Sequence, residues 1–149
     1  MASRILDIQK RSNQYMKNFD ANVIGVIERS DIKEKLLDIN RDQFMKHKDA
    51  DFMPLIHNST KSQSLTKAYA RKTGKSKPDF FVSGDFWDKM LLTMPSAKEY
   101  FITSKSYVSR WLSLHYGKIF GISPKGQPKA HKITDPAIIK DHRKKVFGL

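Results

Sequence analysis

The sequence has 149 residues, a common length for one domain, and we expect residues 1–149 to fold as a single domain. It contains no cysteine, which excludes disulfides, a thiolate nucleophile and zinc held by cysteine. Its apolar runs are far shorter than the about 20 residues that cross a bilayer, so we expect no contact with a membrane.

Two regions carry the positive excess of the chain, whose formal net charge is +13. Residues 59–78 hold six basic side chains and no acidic one, and residues 104–149 hold ten basic against two acidic. These cations either keep the protein soluble or form a face that meets DNA phosphates or acidic protein. The candidate contact residues are Lys61, Lys67, Arg71, Lys72, Lys75, Lys77, Lys125, Lys129 and Lys132.

The N-terminal residues 1–46 are predicted to be helical, because their apolar side chains recur near a period of 3.6 residues. A single helix of this length is unusual in a globular protein. We therefore expect a break at Gly25 or at the Ser30-Asp31 pair. Ser30 would cap the second helix, and the acid after it would suit the positive end of that helix.

The next segment, residues 47–78, is predicted to be rich in loops. It contains Pro54 and many polar residues and has no clear apolar period. A short helix is expected within residues 60–70. We expect residues 47–78 and 121–133 to be partly disordered in the isolated chain, which we expect to be a monomer.

The C-terminal residues 79–149 are predicted to contain a hairpin, a helix, a loop and a closing helix. Ser83 would cap a short helix over residues 84–90. Two strands, at residues 89–94 and 99–104, would then pair as an antiparallel hairpin, because their alternation and spacing fit one.

The chain after the hairpin is predicted to return to helix over residues 107–116, with Gly117 as its C-terminal cap. A loop over residues 123–134 would follow. Thr134 would then begin the closing helix, with Pro136 in its first turn. The predicted fold class is α+β, with a long N-terminal helical region, a small antiparallel β-sheet and C-terminal helices.

Catalytic and metal-binding motifs are not evident in the sequence. Its five histidines show no HxH or HExxH spacing, and we expect neither an enzyme nor a bound cofactor or metal. A nuclease that uses Asp49, Asp51 and His57 with a metal is the enzymatic alternative. Trp87 and Trp111 could anchor an interface, but packing in the core is the favoured interpretation for both.

Three short motifs occur in an order that resembles a known family. They are HKDADFMPL at residues 47–55, SGDFWDKM at residues 83–90 and WLSLHYGKIFGIS at residues 111–123. The chain resembles the tail-completion, or neck, proteins of long-tailed bacteriophages. In that family a Thr-Gly turn precedes a hairpin, and an aromatic-Gly element precedes a closing helix. Here Ser83 stands where threonine is commoner, and residues 59–78 have no firm counterpart.

The resemblance implies a structural virion protein that forms a ring in the neck and surrounds the DNA channel. Such a subunit would form homo-oligomers, join the portal or adaptor to tail proteins, and contact packaged DNA without sequence specificity. It would lie in the virion, and in the host cytoplasm during assembly. The candidate interface residues are Phe52, Met53, Ile119 and Phe120. The alternative function is a basic accessory protein that binds nucleic acid.

Overall fold

The computed structural model describes residues 2–81 and 84–149, which form seven helices and one two-stranded antiparallel sheet. This mostly helical arrangement confirms the α+β class. The elements are α1 (Ala2–Lys17), α2 (Phe19–Ile27), α3 (Ser30–Met45), α4 (Lys67–Thr73), α5 (Asp85–Asp88), β1 (Met90–Ser96), β2 (Glu99–Ser104), α6 (Ser109–Tyr116) and α7 (Gln127–Phe147).

The N-terminal region is helical as predicted, with one break next to the predicted Ser30-Asp31 pair and another that was not predicted. The first break is at Asn18, and the second follows Ile27. Gly25 lies inside α2 and does not interrupt it. Ser30 is the first residue of α3, and the cap position belongs to Arg29, whose guanidinium pairs with the Asp31 carboxylate at 3.0 Å. The predicted cap was therefore wrong by one residue.

The hairpin is close to its prediction, and β2 has the predicted bounds. Leu92 lies opposite Ile102, and both side chains are buried. β1 extends past Pro95 to Ser96, with an irregularity in its pairing after Thr93. This irregularity is expected, because proline has no N–H to give to the ladder.

The core is built around α3. Leu37 and Phe44 are fully buried on this helix, and the Phe44 ring lies 5.1 Å from that of Phe80. The hairpin contributes Leu92, and the segment after α6 contributes Ile119, which also has no exposed surface. The buried face of α3 therefore holds together the hairpin, the aromatic segment before it and the chain leading to α7.

The helix α7 corrects the prediction for the closing helix, which begins at Gln127 and not at Thr134. Residues 127–133, expected in a loop, are its first turns. Pro136 lies inside the helix but on its exposed side, so the carbonyl group that loses its amide partner can meet water. Burial of Ala130 against the core outweighs the local start signal at Thr134.

Side-chain hydrogen bonds tie the segment before α7 to α3. The Asn40 amide donates to the carbonyl oxygens of Ile119 and Gly121 at 3.2 and 3.0 Å. The Gln43 amide donates to the same Gly121 oxygen at 2.9 Å, and its own oxygen accepts the Ser123 N–H at 2.7 Å. These bonds satisfy backbone groups that would otherwise be buried without partners.

The helices α4 and α5 also differ from their predictions. The short helix expected within residues 60–70 lies at Lys67–Thr73. The helix expected over residues 84–90 is the single turn Asp85–Asp88, with Gly84 at its cap position in a left-handed conformation. The predicted cap Ser83 lies outside the described residues.

Candidate interaction surfaces

The basic segment over residues 59–78 presents most of its predicted cations to solvent. Lys61, Lys67, Arg71, Lys72 and Lys77 are exposed. Lys75 is different, because its ammonium group lies 2.7 Å from the Asp79 carboxylate and also bonds to the Phe81 carbonyl oxygen. The charge of Lys75 is therefore used in contacts within the chain, where it stabilises the end of the basic segment.

The predicted cations of the C-terminal region lie in two environments. The Lys125 ammonium group lies 4.6 Å from the centre of the Phe52 ring, a cation–π contact within the chain. Lys129 and Lys132 lie on the first turns of α7 and are exposed. Lys129 is 4.0 Å from the Asp42 carboxylate, an exposed and weak pair.

The helix α7 joins these two lysines to three cations that the sequence analysis did not select. A helix that begins at Gln127 places all five within an arc of about 120°, at 3.6 residues per turn. All five are exposed, and we call them the α7 stripe: Lys129, Lys132, Lys140, Arg143 and Lys144. The spacing was visible in the sequence, but a predicted start at Thr134 put the first two in a loop.

The acidic residues of α7 do not neutralise this stripe. Asp141 accepts bonds from the Lys145 ammonium group at 3.0 Å and from the Tyr15 hydroxyl at 3.4 Å. Burial, and then Asp141, raise the pKa of the Tyr15 phenol. Asp135 bonds to Thr134 and lies 3.6 Å from the His131 ring nitrogen. The last four cations of the stripe have no ion pair within the described part of the chain.

The four predicted interface residues are not equivalent. Met53 is exposed, whereas Phe52 is half-buried under two lysine side chains. Phe120 is half-buried against the Phe86 ring at 5.8 Å. Ile119 has no exposed surface, because it packs in the core beside α3, so in this structure it offers nothing to a partner.

The outer side of α6, together with Tyr107 just before the helix, carries exposed apolar side chains, of which Trp111 was predicted to pack in the core. Tyr107, Trp111 and Leu114 follow each other at spacings of four and three residues, and Trp111 and Leu114 are 51% and 66% exposed. The inner side holds Val108 and Leu112. We call the three exposed residues the α6 surface. Apolar residues occupy both sides of this helix, so the sequence alone did not show which side is buried.

The N-terminal helix carries a second group of exposed apolar side chains. Ile5, Leu6 and Met16 are 65%, 55% and 61% exposed, and we call them the α1 surface. α1 packs mainly on α7, through Tyr15, whose ring lies 4.8 Å from that of His142. Sequence reasoning missed this surface because periodic apolar residues on a helix usually face the core.

A cleft of about 590 Å³ separates the basic segment from α6. Apolar side chains such as Leu65, Phe80 and Leu112 line much of it. Lys75 and Asp79, which line it, pair with each other, and Asp85 accepts bonds from Lys89 and from Ser106. Both partners of Asp85, Lys89 first, lower the pKa of its carboxyl group. The cleft therefore offers an apolar surface with few free polar groups.

The three residues proposed for a nuclease, Asp49, Asp51 and His57, make contacts within the chain that stabilise the fold. Asp49 accepts the backbone N–H groups of Asp51 and Met53, and Asp51 lies 3.3 Å from the Lys118 ammonium group. The His57 ring packs 4.9 Å from that of His115. Across residues 2–81 and 84–149, no three histidine or acidic side chains form a group that could hold a metal.

Within the part of the chain that the structure describes, no helix combines the length and the apolar character required to cross a membrane. Comparison with models of protein families, with curated proteins and with solved structures finds no match to this chain.

Proposed function

We propose that this chain is a structural subunit of a tailed bacteriophage, which forms a ring in the neck between the portal or adaptor and the tail. The observation that carries the proposal is the presence of two exposed apolar surfaces on different elements, the α1 surface and the α6 surface. The three neck-like motifs at residues 47–55, 83–90 and 111–123 support the same function.

A closed ring requires each subunit to meet its two neighbours through two different surfaces. The α1 and α6 surfaces are our candidates for these two surfaces, because they lie on different elements and share no residue. Exposed Trp111 is also the type of side chain that dominates binding energy in protein interfaces. In the proposed ring, the α1 surface of one copy meets the α6 surface of the next.

The net charge of the chain indicates that the ring would form only when other virion proteins, or screening salt, offset the repulsion between copies. Each copy carries a formal net charge of +13, so free copies repel one another at low salt. We therefore expect monomers in dilute, low-salt solution. In vitro, ring assembly requires a high protein concentration and salt that screens this repulsion. In the virion, contact with the neighbouring proteins takes the place of these conditions.

The natural absence of cysteine permits a direct test of the ring. A Leu6→Cys/Leu114→Cys variant places one thiol on each surface. At high concentration and high salt, a long flexible bis-maleimide should link it into a ladder that ends in one closed species. A Met45→Cys/Leu114→Cys variant is the matched control, because Met45 is 57% exposed but lies outside both surfaces. Products no larger than dimers, or equal ladders in the two variants, would contradict the ring.

The place in the virion needs its own experiment. Antibodies against the chain should label virions of the phage that encodes it at the junction of head and tail. Label along the tail, at its tip or nowhere on the virion would exclude a neck protein.

The α7 stripe favours a second candidate, a nucleic-acid-binding accessory protein that acts as a monomer. The two functions predict different results in the cross-linking experiment. A chain that binds DNA tightly but yields no ladder on cross-linking supports the accessory protein, because its function needs no neighbour. A ladder that closes supports the neck subunit.

A further inference from the structure

We infer that the α7 stripe contacts the phosphate backbone of duplex DNA, with α7 lying across the major groove. The inference rests on the proposed ring, since a ring around a channel is what brings DNA to this helix in every copy. The inference goes beyond the proposed ring in three respects: it names the surface that contacts DNA, it specifies duplex DNA, and it gives the orientation of α7 on that duplex.

The first argument is charge that nothing within the chain uses. Lys132, Lys140, Arg143 and Lys144 are exposed and have no ion pair in the described part of the chain. The acids of the same helix are bound to other partners, Asp141 to Lys145 and Tyr15. Four of the five cations of the stripe are therefore unpaired within the described part of the chain, and they lie along one side of a helix, which suits a polyanion with regularly spaced charges.

The second argument is the spacing of these cations. The stripe spans about 22 Å at a rise of 1.5 Å per residue, and it divides into two groups. Lys132 ends the first group and Lys140 begins the second, about 12 Å further along the axis. The major groove of B-DNA is about 12 Å wide. The two groups can therefore contact phosphates on opposite sides of one groove, with the uncharged Pro136 and Ile139 between them.

The third argument distinguishes duplex from single-stranded nucleic acid. Proteins that hold single strands stack the bases on aromatic side chains beside the cations. Residues 129–144 contain no Phe, Tyr or Trp. The stripe therefore offers contacts to phosphates and no platform for bases, so we expect little dependence on sequence.

The test compares two triple variants with the same change in charge. Lys140→Gln/Arg143→Gln/Lys144→Gln removes the second group of the stripe. The comparison variant removes three exposed cations of α4 that the sequence also offered as contacts, so it tests the competing surface: Lys67→Gln, Arg71→Gln and Lys72→Gln. Binding to a fluorescent duplex is measured by anisotropy from about 50 to 200 mM salt, and the logarithm of the affinity is plotted against the logarithm of the salt concentration. Each phosphate contact contributes about 0.9 to the steepness of this slope. The α7 variant should lose about 2.7 from this slope, and the comparison variant should keep the slope of the wild type.

Several outcomes would overturn the inference. They are an equal or larger loss of slope in the α4 variant, an unchanged slope in the α7 variant, and no binding by the wild-type chain at the lowest salt. Acidic protein is the other polyanion that the stripe could meet, and poly-glutamate is its probe. An α7 variant that loses affinity for poly-glutamate but keeps its affinity for the duplex would also overturn the inference.

The outcome of the DNA-binding experiment can be distinguished from the outcome of the cross-linking experiment on the ring. Gln and Lys have similar helix propensities, and circular dichroism shows whether each variant keeps its helices. A closed ladder on cross-linking together with an unchanged slope in the α7 variant removes the DNA contact and retains the ring. The expected loss of slope without a ladder removes the ring and retains the DNA-binding surface.

Discussion

The hydrogen bonds from α3 to the chain before α7 lead to a quantitative prediction about how two residues act together. The Gly121 carbonyl oxygen accepts bonds from both Asn40 and Gln43. Replacement of either residue by alanine leaves this oxygen with one donor, whereas replacement of both leaves it with none. The double variant should therefore lose more stability than the two single variants together.

The cost of each change follows from the groups left without partners. Gln43→Ala removes the acceptor of the Ser123 N–H, which is fully buried, and should lower the free energy of unfolding by about 1–3 kcal/mol. Asn40→Ala removes the donor to the Ile119 carbonyl oxygen, at a cost toward the lower end of that range. The lower end applies because Asn40 Oδ1 is buried without a hydrogen-bond partner among residues 2–81 and 84–149, so its removal is favourable.

Urea unfolding, followed by the fluorescence of Trp87 and Trp111, measures all four proteins of the cycle. The double variant should be less stable than the sum of the single effects by about 0.5–3 kcal/mol, the range for residues that share a partner. The slope of free energy against urea must stay constant across the cycle, because a change would mean that the unfolded or native state has changed. An interaction energy within about 0.5 kcal/mol of zero would refute the shared role of Gly121.

Two further predictions concern packing and pH. A Cβ atom at Gly126 would lie 2.8 Å from Ile122 and 2.9 Å from Ile39, so Gly126→Ala should lower the free energy of unfolding by about 1–3 kcal/mol in the same urea assay. Gly25→Ala is its control: it meets open space inside α2 and should be neutral or raise stability by up to about 1 kcal/mol. For Asp85, the lowered pKa means that its carboxylate stabilises the fold above the ordinary pKa of aspartate, and this contribution is lost as the pH falls through the lowered value. The difference in urea midpoint between wild type and Asp85→Asn should therefore be largest near neutral pH and shrink in acid, and a difference that grows in acid would contradict this assignment.

Local patterns were sufficient to predict part of the fold. The alternation and turn residues around β2 gave its bounds, and Gly117, at φ 74°, ends α6 as a glycine cap was expected to do. Both signals lie within a few residues of the structure that they specify. The α+β class followed from the order of such signals along the chain.

The start of α7 and the exposed side of α6 depend on distant contacts, so the sequence did not reveal them. Thr134 begins a good local signal for a helix, but the packing of Ala130 and Gly126 near Ile39 extends α7 by seven residues toward the N-terminus. In α6 both sides are apolar, and only the position of the core decides that Leu112 faces inward. The extension of α7 also decides the candidate DNA contact, because it joins two groups of cations into one stripe.

The positive charge of the chain places opposite demands on the two proposed interactions. Repulsion between copies, each with a formal charge of +13, opposes ring closure and weakens as salt screens it. Contact between the α7 stripe and phosphates has the reverse dependence, because salt competes with the release of counterions. In the proposed ring, the cations that face DNA would therefore lie away from the contacts between copies, which we assign to apolar side chains on the α1 and α6 surfaces. Bound DNA would then reduce the repulsion between neighbours, so we expect the proposed ring to be more stable around DNA than empty, without a new contact between copies.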